Sequence, residues 1–273
     1  MLLIDSHTHV GNIQFEVGKN RVKYLPEENL LEALRKYKID FALVSGLEGA
    51  EYDSDSSLAP KKMQVSQKEG IRKILEFVKK HDKILKAVIW IKPYTEGFTG
   101  ELEELVSANI RFIAGLKMHP TLSGIKATDR RYYPYLEMAV KLNLPVQVHT
   151  ENDGLSDLKL VGKLASIFPE LSFVMVHMGM NSDNREAIKL IIDSDNLYGD
   201  TCVVRHENVI KAIKACGSEK ILFGSDTVVN GIDTYEKYMP LIENIQSSFT
   251  EKEAADVLGL NCMRIFNLQN ILE

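Results

Sequence analysis

Cysteine is scarce in this sequence and poorly spaced for bonding. The three that occur in 273 residues, Cys202, Cys216 and Cys262, are scattered and odd in number, with no Cys-x-x-Cys pair. A disulfide framework and a thiolate zinc site are both disfavoured, and packing is the default role for each. Any basic block is also missing: 33 Lys and Arg against 38 Asp and Glu leave a net charge of -5. Nucleic-acid binding has no electrostatic footprint here, so a small-molecule substrate is the expected partner. No apolar run approaches the roughly 20 residues needed to span a bilayer, and no basic n-region followed by an apolar h-region opens the chain. The expectation is a soluble, cytoplasmic protein with neither nucleic acid nor membrane as partner. No Gly-x-Gly-x-x-Gly follows the first apolar run, so a dinucleotide site is unsupported. Internal repeats and low-complexity segments are absent too, and nothing in the sequence speaks to oligomeric state.

What is present suits one large domain over residues 1–273, with 45% of residues hydrophobic and 26% charged. That composition supplies a full core. Apolar runs with strand character recur at Leu2–His9, Phe41–Val44, Leu85–Ile91, Arg111–Met118, Leu144–His149, Leu171–Val176, a weaker Leu197–Val203, and Lys220–Ser225. Helical spacing follows them, as in Leu30, Leu31, Leu34 and Tyr37 after the first and Ile71, Ile74, Leu75 and Val78 after the second. Eight such strands, each followed by a helix, predict an α/β fold, a parallel (β/α)8 TIM barrel. Near-continuous apolar strands are buried on both faces, and right-handed crossovers close them into a ring. An open doubly wound sheet is the competing architecture. The polar stretch from Ser45 to about Pro60 is longer than usual βα connections and reads as a candidate lid.

The first run ends in His7-Thr8-His9. Side chains alternate faces along a strand, so both imidazoles point the same way and make a metal half-site. Other chemistry-bearing residues sit just past later runs: Lys117 and His119 after the fourth, His149 after the fifth, His177 after the sixth and Asp226 after the eighth. In a barrel the carboxyl ends of all strands converge on one face, which turns this list into a site. Imidazole nitrogens and carboxylate oxygens suit zinc and related divalent ions, and a catalytic site leaves one position open for water. The pKa of a bound water falls toward about 7, which makes hydroxide available at neutral pH. Bland readings compete: His119, followed by Pro120, serves equally as a hydrogen-bonded core residue or a substrate contact. Arg205 is either a cation for an anionic substrate or half of a solvated pair with His206. Asp5 is read as a supporting residue, and Trp90 with Tyr132, Tyr133 and Tyr135 as packing.

As an ordered set, these residues resemble the amidohydrolase superfamily, and within it the amidohydrolase-related group that includes aminocarboxymuconate-semialdehyde decarboxylase. The resemblance covers nearly the whole chain. It is carried by Ile4-Asp5-Ser6-His7-Thr8-His9, Gly115-Leu116-Lys117-Met118-His119-Pro120, His149, His177, Gly224-Ser225-Asp226, and the closing segment from Val257 to Phe266. It implies that His7, His9 and His149 bind the metal. Asp226 matches the aspartate that binds the metal or the nucleophilic water and takes its proton. His177 matches a histidine that orients or activates the water in single-metal members and is a ligand in two-metal members. Lys117 matches a lysine that is carboxylated in two-metal relatives and is otherwise an unmodified substrate or structural contact.

The expected activity is that of a metal-dependent hydrolase cleaving an amide, a lactone or another ester, with Asp226 and His177 moving protons. Zinc leads the candidate ions, manganese, iron and cobalt also fit, and one ion is favoured over two. The alternative is a metal-dependent decarboxylase or hydratase acting on a small carboxylated substrate, with Lys117, His119 and Arg205 as substrate contacts. A barrel that binds without turnover is the third reading, and the intact ligand set argues against it.

Overall fold

Nine strands form one sheet. In chain order they are β1 (Ile4–Gln14), β2 (Val22–Leu25), β3 (Phe41–Gly46), β4 (Leu85–Trp90), β5 (Ile113–Met118), β6 (Val146–Glu151), β7 (Phe173–Met180), β8 (Leu197–Asp200) and β9 (Ile221–Leu222). This is a computed structural model, and it describes residues 1–14, 22–52 and 65–268. The strand order is β2-β1-β3-β4-β5-β6-β7-β8-β9. Every neighbouring pair is parallel except β1 with β2.

Parallel neighbours require a crossover, and helices supply it. They are Glu27–Tyr37, Gln67–Lys80, Gly100–Ala108, Tyr133–Leu142, Leu158–Ile167, Arg185–Ile192 and His206–Cys216. Helix Gln67–Lys80 shows how the sequence dictates one. The Ser66 side chain accepts from the Glu69 amide at its start, Lys79 and Lys80 close it, and Ile71, Ile74, Leu75 and Val78 make the buried stripe. The cap satisfies an orphan donor and the terminal lysines favour the helix dipole.

Two apolar layers result. The larger lies between strands and helices, with Val44, Ile89, Leu116 and Val148 facing Ile74, Leu102, Leu136 and Val161 across one continuous cluster. The smaller is enclosed by the sheet: Ile4, Phe41, Leu43, Val88, Ala114, Val174 and Leu222 meet Cys262, Ile265 and Phe266 from the closing helix Asn261–Ile265 and the residue after it. Gly115 belongs to this fit. A Cβ there would stand 2.7 Å from the Pro145 carbonyl oxygen and 3.1 Å from the Phe266 ring.

The sheet is curled, and β1 also bonds to the residues just after β9. Ser6 N donates to Phe223 O at 2.9 Å, Asp226 N to His7 O at 2.9 Å, and His9 N to Thr227 O at 2.6 Å.

Four boundaries differ from the sequence reading. Past the expected first run, β1 continues to Gln14 and pairs with β2, Gly11 opposite Leu25 and Gln14 opposite Val22. The seventh expected strand stops at Asp200, because Thr201–Val204 closes a turn through Val204 N to Thr201 O at 3.3 Å. The eighth contracts to Ile221–Leu222, because side chains replace the ladder there: Gly224 N donates to Thr201 Oγ1 and Ser225 N to Asp5 Oδ1. The sixth runs past His177 to Met180. The second half of the candidate lid, 53–60, lies outside the described residues. The cysteines are free, with Cys202 and Cys262 buried. Among the described residues no helix is long and apolar enough to cross a membrane.

Candidate active site

The strand ends bring His7, His9 and Asp226 together. His7 Nε2 lies 2.9 Å from His9 Nε2, and Asp226 Oδ1 lies 3.2 Å from His9 Nε2 and 3.8 Å from His7 Nε2. These three atoms form a candidate metal-holding group. Adjacent ligands of one ion at metal–nitrogen distances of about 2.0–2.1 Å are themselves separated by about 2.9–3.4 Å, so the donor spacing fits a divalent cation. Lys117 completes the cluster, with Nζ 3.2 Å from His7 Nε2 and 5.9 Å from the Trp90 ring centre.

His149 and His119 stand beside this group. Their rings stack at 3.8 Å, and the Trp90 indole lies nearly parallel to His119 at 5.9 Å. His149 Nε2 is buried, makes no hydrogen bond and lies 3.5 Å from the Glu151 carboxylate. It is not one of the three clustered donors, and it remains open for a ligand. His177 packs between, 5.6 Å from the His7 ring and 5.0 Å from that of His149. Arg205 goes elsewhere: it is exposed and lines a surface recess with Asn181, Arg185, Asn208 and Lys211. Trp90, expected as packing alone, is both core and wall of the site.

Electrostatics match this placement. Burial, then the Lys117 charge, hold His7 well below the usual imidazole range, and burial with His149 lowers His177 to about 3. Burial lowers Lys117 to about 8 against the pull of Asp200 and Asp226. For Asp226 burial works upward, but the His9 hydrogen bond and the neighbouring imidazoles outweigh it and keep the carboxyl well below its ordinary value. Burial thus favours neutral His7 and His177, while the surrounding imidazoles favour an ionised Asp226.

Two carboxylates behind these groups are fully buried. Asp5, expected as a supporting residue, accepts from His7 N at 2.9 Å, Ser225 N at 3.2 Å and Tyr235 Oη at 2.7 Å, and also from the Ser225 hydroxyl. Asp200, which the sequence reading missed, has Oδ2 3.2 Å from His7 Nδ1. The signal for it was the polar break Gly199-Asp200-Thr201 inside an apolar run.

A family model described as Amidohydrolase matches residues 4–268. The chain belongs to this amidohydrolase family. It is an enzyme of the amidohydrolase superfamily, whose members act on small molecules. A curated relative, 2-keto-4-carboxy-3-hexenedioate hydratase from a Sphingobium species, is 26% identical over 146 residues. That match spans 42% of this amidohydrolase and 41%, less than half, of the hydratase. The solved 4-oxalomesaconate hydratase LigJ from Rhodopseudomonas palustris superposes with a TM-score of 0.68 at 17% identity, covering 99% of this chain and 98% of that one. A dihydroxybenzoic acid decarboxylase from a Polaromonas species, solved with bound manganese and 2-nitroresorcinol, superposes with a TM-score of 0.69 at 16% identity, covering 98% of each. At these identities the likeness shows the shared fold.

Proposed function

We propose that this amidohydrolase is a divalent-metal-dependent lyase, a hydratase or decarboxylase, acting on a small carboxylated molecule at the mouth of a closed (β/α)8 barrel. The observation that carries the reading is the Lys117 ammonium, buried and 3.2 Å from His7 Nε2 beside the donor group. A carboxylate brought there meets a fixed positive charge in a desolvated place, where charge-assisted bonds are strong. The names of the hydratase and decarboxylase relatives support the same reading, whereas hydrolysis is supported by the family's description and by the name of one solved neighbour, a probable 2-pyrone-4,6-dicarboxylic acid hydrolase from Acinetobacter baumannii. The backbone bonds between β1 and residues 223–227 support ring closure.

His7, His9 and Asp226 would hold the ion, with His149 Nε2, buried and 3.5 Å from the Glu151 carboxylate, as the further donor. Two or three imidazoles and a carboxylate suit zinc or manganese. When bound, the ion supplies Lewis acidity toward a substrate oxygen. One ion is favoured, because the second donor group found, His7 with Asp200 and Cys202, reuses His7. Lys117 then acts unmodified, orienting the substrate carboxylate. His177 accepts or returns a proton at Nε2, since its Nδ1 faces the Cys202 carbonyl at 3.2 Å. With Oδ1 in the donor group, Asp226 keeps Oδ2 as the second proton position. His119 presents a half-buried ring to the substrate.

The test is turnover by protein loaded with manganese or zinc on unsaturated keto acids and dihydroxybenzoic acids, with esters and lactones alongside. Carbon dioxide release or loss of conjugated absorbance is expected. Turnover of esters or lactones alone would return the reading to hydrolysis.

A further inference from the structure

One short turn touches two site histidines from two different strands. Asp200 ends β8, and its Oδ2 lies against His7 Nδ1 at 3.2 Å. Its Oδ1 accepts from His177 N at 2.8 Å and from Cys202 N at 3.2 Å. Two residues on, the Cys202 carbonyl faces His177 Nδ1 at 3.2 Å. A carbonyl oxygen only accepts, and so does an ionised carboxylate. Both contacts therefore place the imidazole proton on Nδ1 and leave the lone pair on Nε2.

We propose that the turn Asp200–Val203 is the positioning device of the site, setting His7 and His177 as Nδ1-protonated tautomers with both Nε2 lone pairs free for the ion and the substrate. Asp200 Oδ1 is taken by two backbone N–H groups, and Oδ2 faces the Nδ1 edge of His7, opposite the Nε2 that faces His9 and Asp226. Carboxylates placed this way fix the tautomer and raise the basicity of a ligating imidazole.

The backbone shows that the arrangement is enforced. Val203 and His177 both take left-handed conformations, at φ 57° and 69°, and a β-branched residue there is a genuine outlier. Strained residues persist only where their surroundings over-determine them. Here Thr201 Oγ1 donates to Gly224 O and accepts from Gly224 N, Tyr238 Oη accepts from Val203 N, and Asp200 accepts from His177 N. The strain turns the Cys202 carbonyl onto His177.

The inference rests on the reading that His7 holds the ion, and the experiment separates the two. Imidazole nitrogen-15 spectra of the metal-free protein above neutral pH should show Nδ1–H for both His7 and His177. A wild-type Nε2–H tautomer at either residue overturns the proposal, whether or not any variant folds. Asp200→Asn should shift the His7 tautomer and weaken manganese binding, titrated with the metal alone, by about tenfold to a hundredfold. Cys202→Ala, which keeps the carbonyl, should change neither. Unchanged affinity and tautomer in Asp200→Asn, or lost affinity in Cys202→Ala, would overturn it, the latter by making the thiol a ligand. Wild-type protein that shows both tautomers yet binds no metal would support the turn's role and sink the metal reading.

Discussion

His7 Nε2 and His9 Nε2 stand 2.9 Å apart across the single intervening Thr8, whose hydroxyl is turned to the other face and bonded to the Leu43 carbonyl. Both side chains are carried by β1 and the ladder bonds of that strand are backbone bonds, so their loss removes the centre without dismantling the sheet. Replacing both, His7→Ala with His9→Ala, should abolish stoichiometric metal, measured by mass spectrometry of the purified protein. Full metal content in the double variant would remove the site.

Lys117 decides the ion count. Its Nζ touches His7 Nε2 at 3.2 Å. Lys117→Ala should keep one ion per chain while KM for a carboxylated substrate rises by about tenfold or more, as expected for losing a hydrogen bond to a charged group. Loss of metal in this variant would point to a carboxylated lysine and two ions.

Trp90 is the only tryptophan of the chain, and its ring centre lies 6.1 Å from that of His9. Its fluorescence therefore reports on the donor group directly. Manganese should quench it in step with binding, and His9→Ala should abolish the response. A titration without any change in emission would place the ion elsewhere.

Lys92 carries a pH signature. It is buried, with Nζ 2.5 Å from the Val65 carbonyl and 3.6 Å from Glu96, and burial lowers its pKa from 10.5 despite Glu96 and Glu51. A depressed folded-state value means that the stability it contributes is present above the unfolded value and is lost as pH falls through the folded one. Lys92→Met should thus gain on the wild type as pH falls from 10.5 toward neutrality, read as the difference in urea midpoints. A difference that does not vary with pH would contradict this.

Phe266 fills the end of the sheet interior against Gly115. Phe266→Ala should cost about 3–5 kcal/mol in unfolding free energy, typical of a large core truncation. Metal affinity of the folded variant should stay at the wild-type value, since Phe266 belongs to a cluster that contains none of the donors. A cost below about 1 kcal/mol would show that the interior collapses around the gap.

The strands and most of the site were legible because burial on both faces leaves long apolar runs, and the barrel rule assigns their ends to one place. His7, His9, Lys117 and Asp226 follow from that rule, and they meet. His149 follows from it too, but the rule ranks no strand end above another, and its ring stacks one layer away, on His119. Asp200 was missed despite its polar break, because its partner His7 lies 193 residues away and the apolar residues Cys202, Val203 and Val204 that follow hide the strand's end. The contraction of β9 was equally hidden, since hydroxyls and carboxylates that take the place of ladder bonds leave no periodic trace. The β1–β2 hairpin escaped notice because β2 has only four residues, too few to show a period.

The bonds joining His7 and His9 to Asp226 and Thr227 have a consequence for biosynthesis. The two histidines are made long before the aspartate, so a nascent chain has only part of the donor group until Asp226 has emerged. An ion held by all three would therefore be taken up only once β1 has met the residues after β9, as a clasp across that seam.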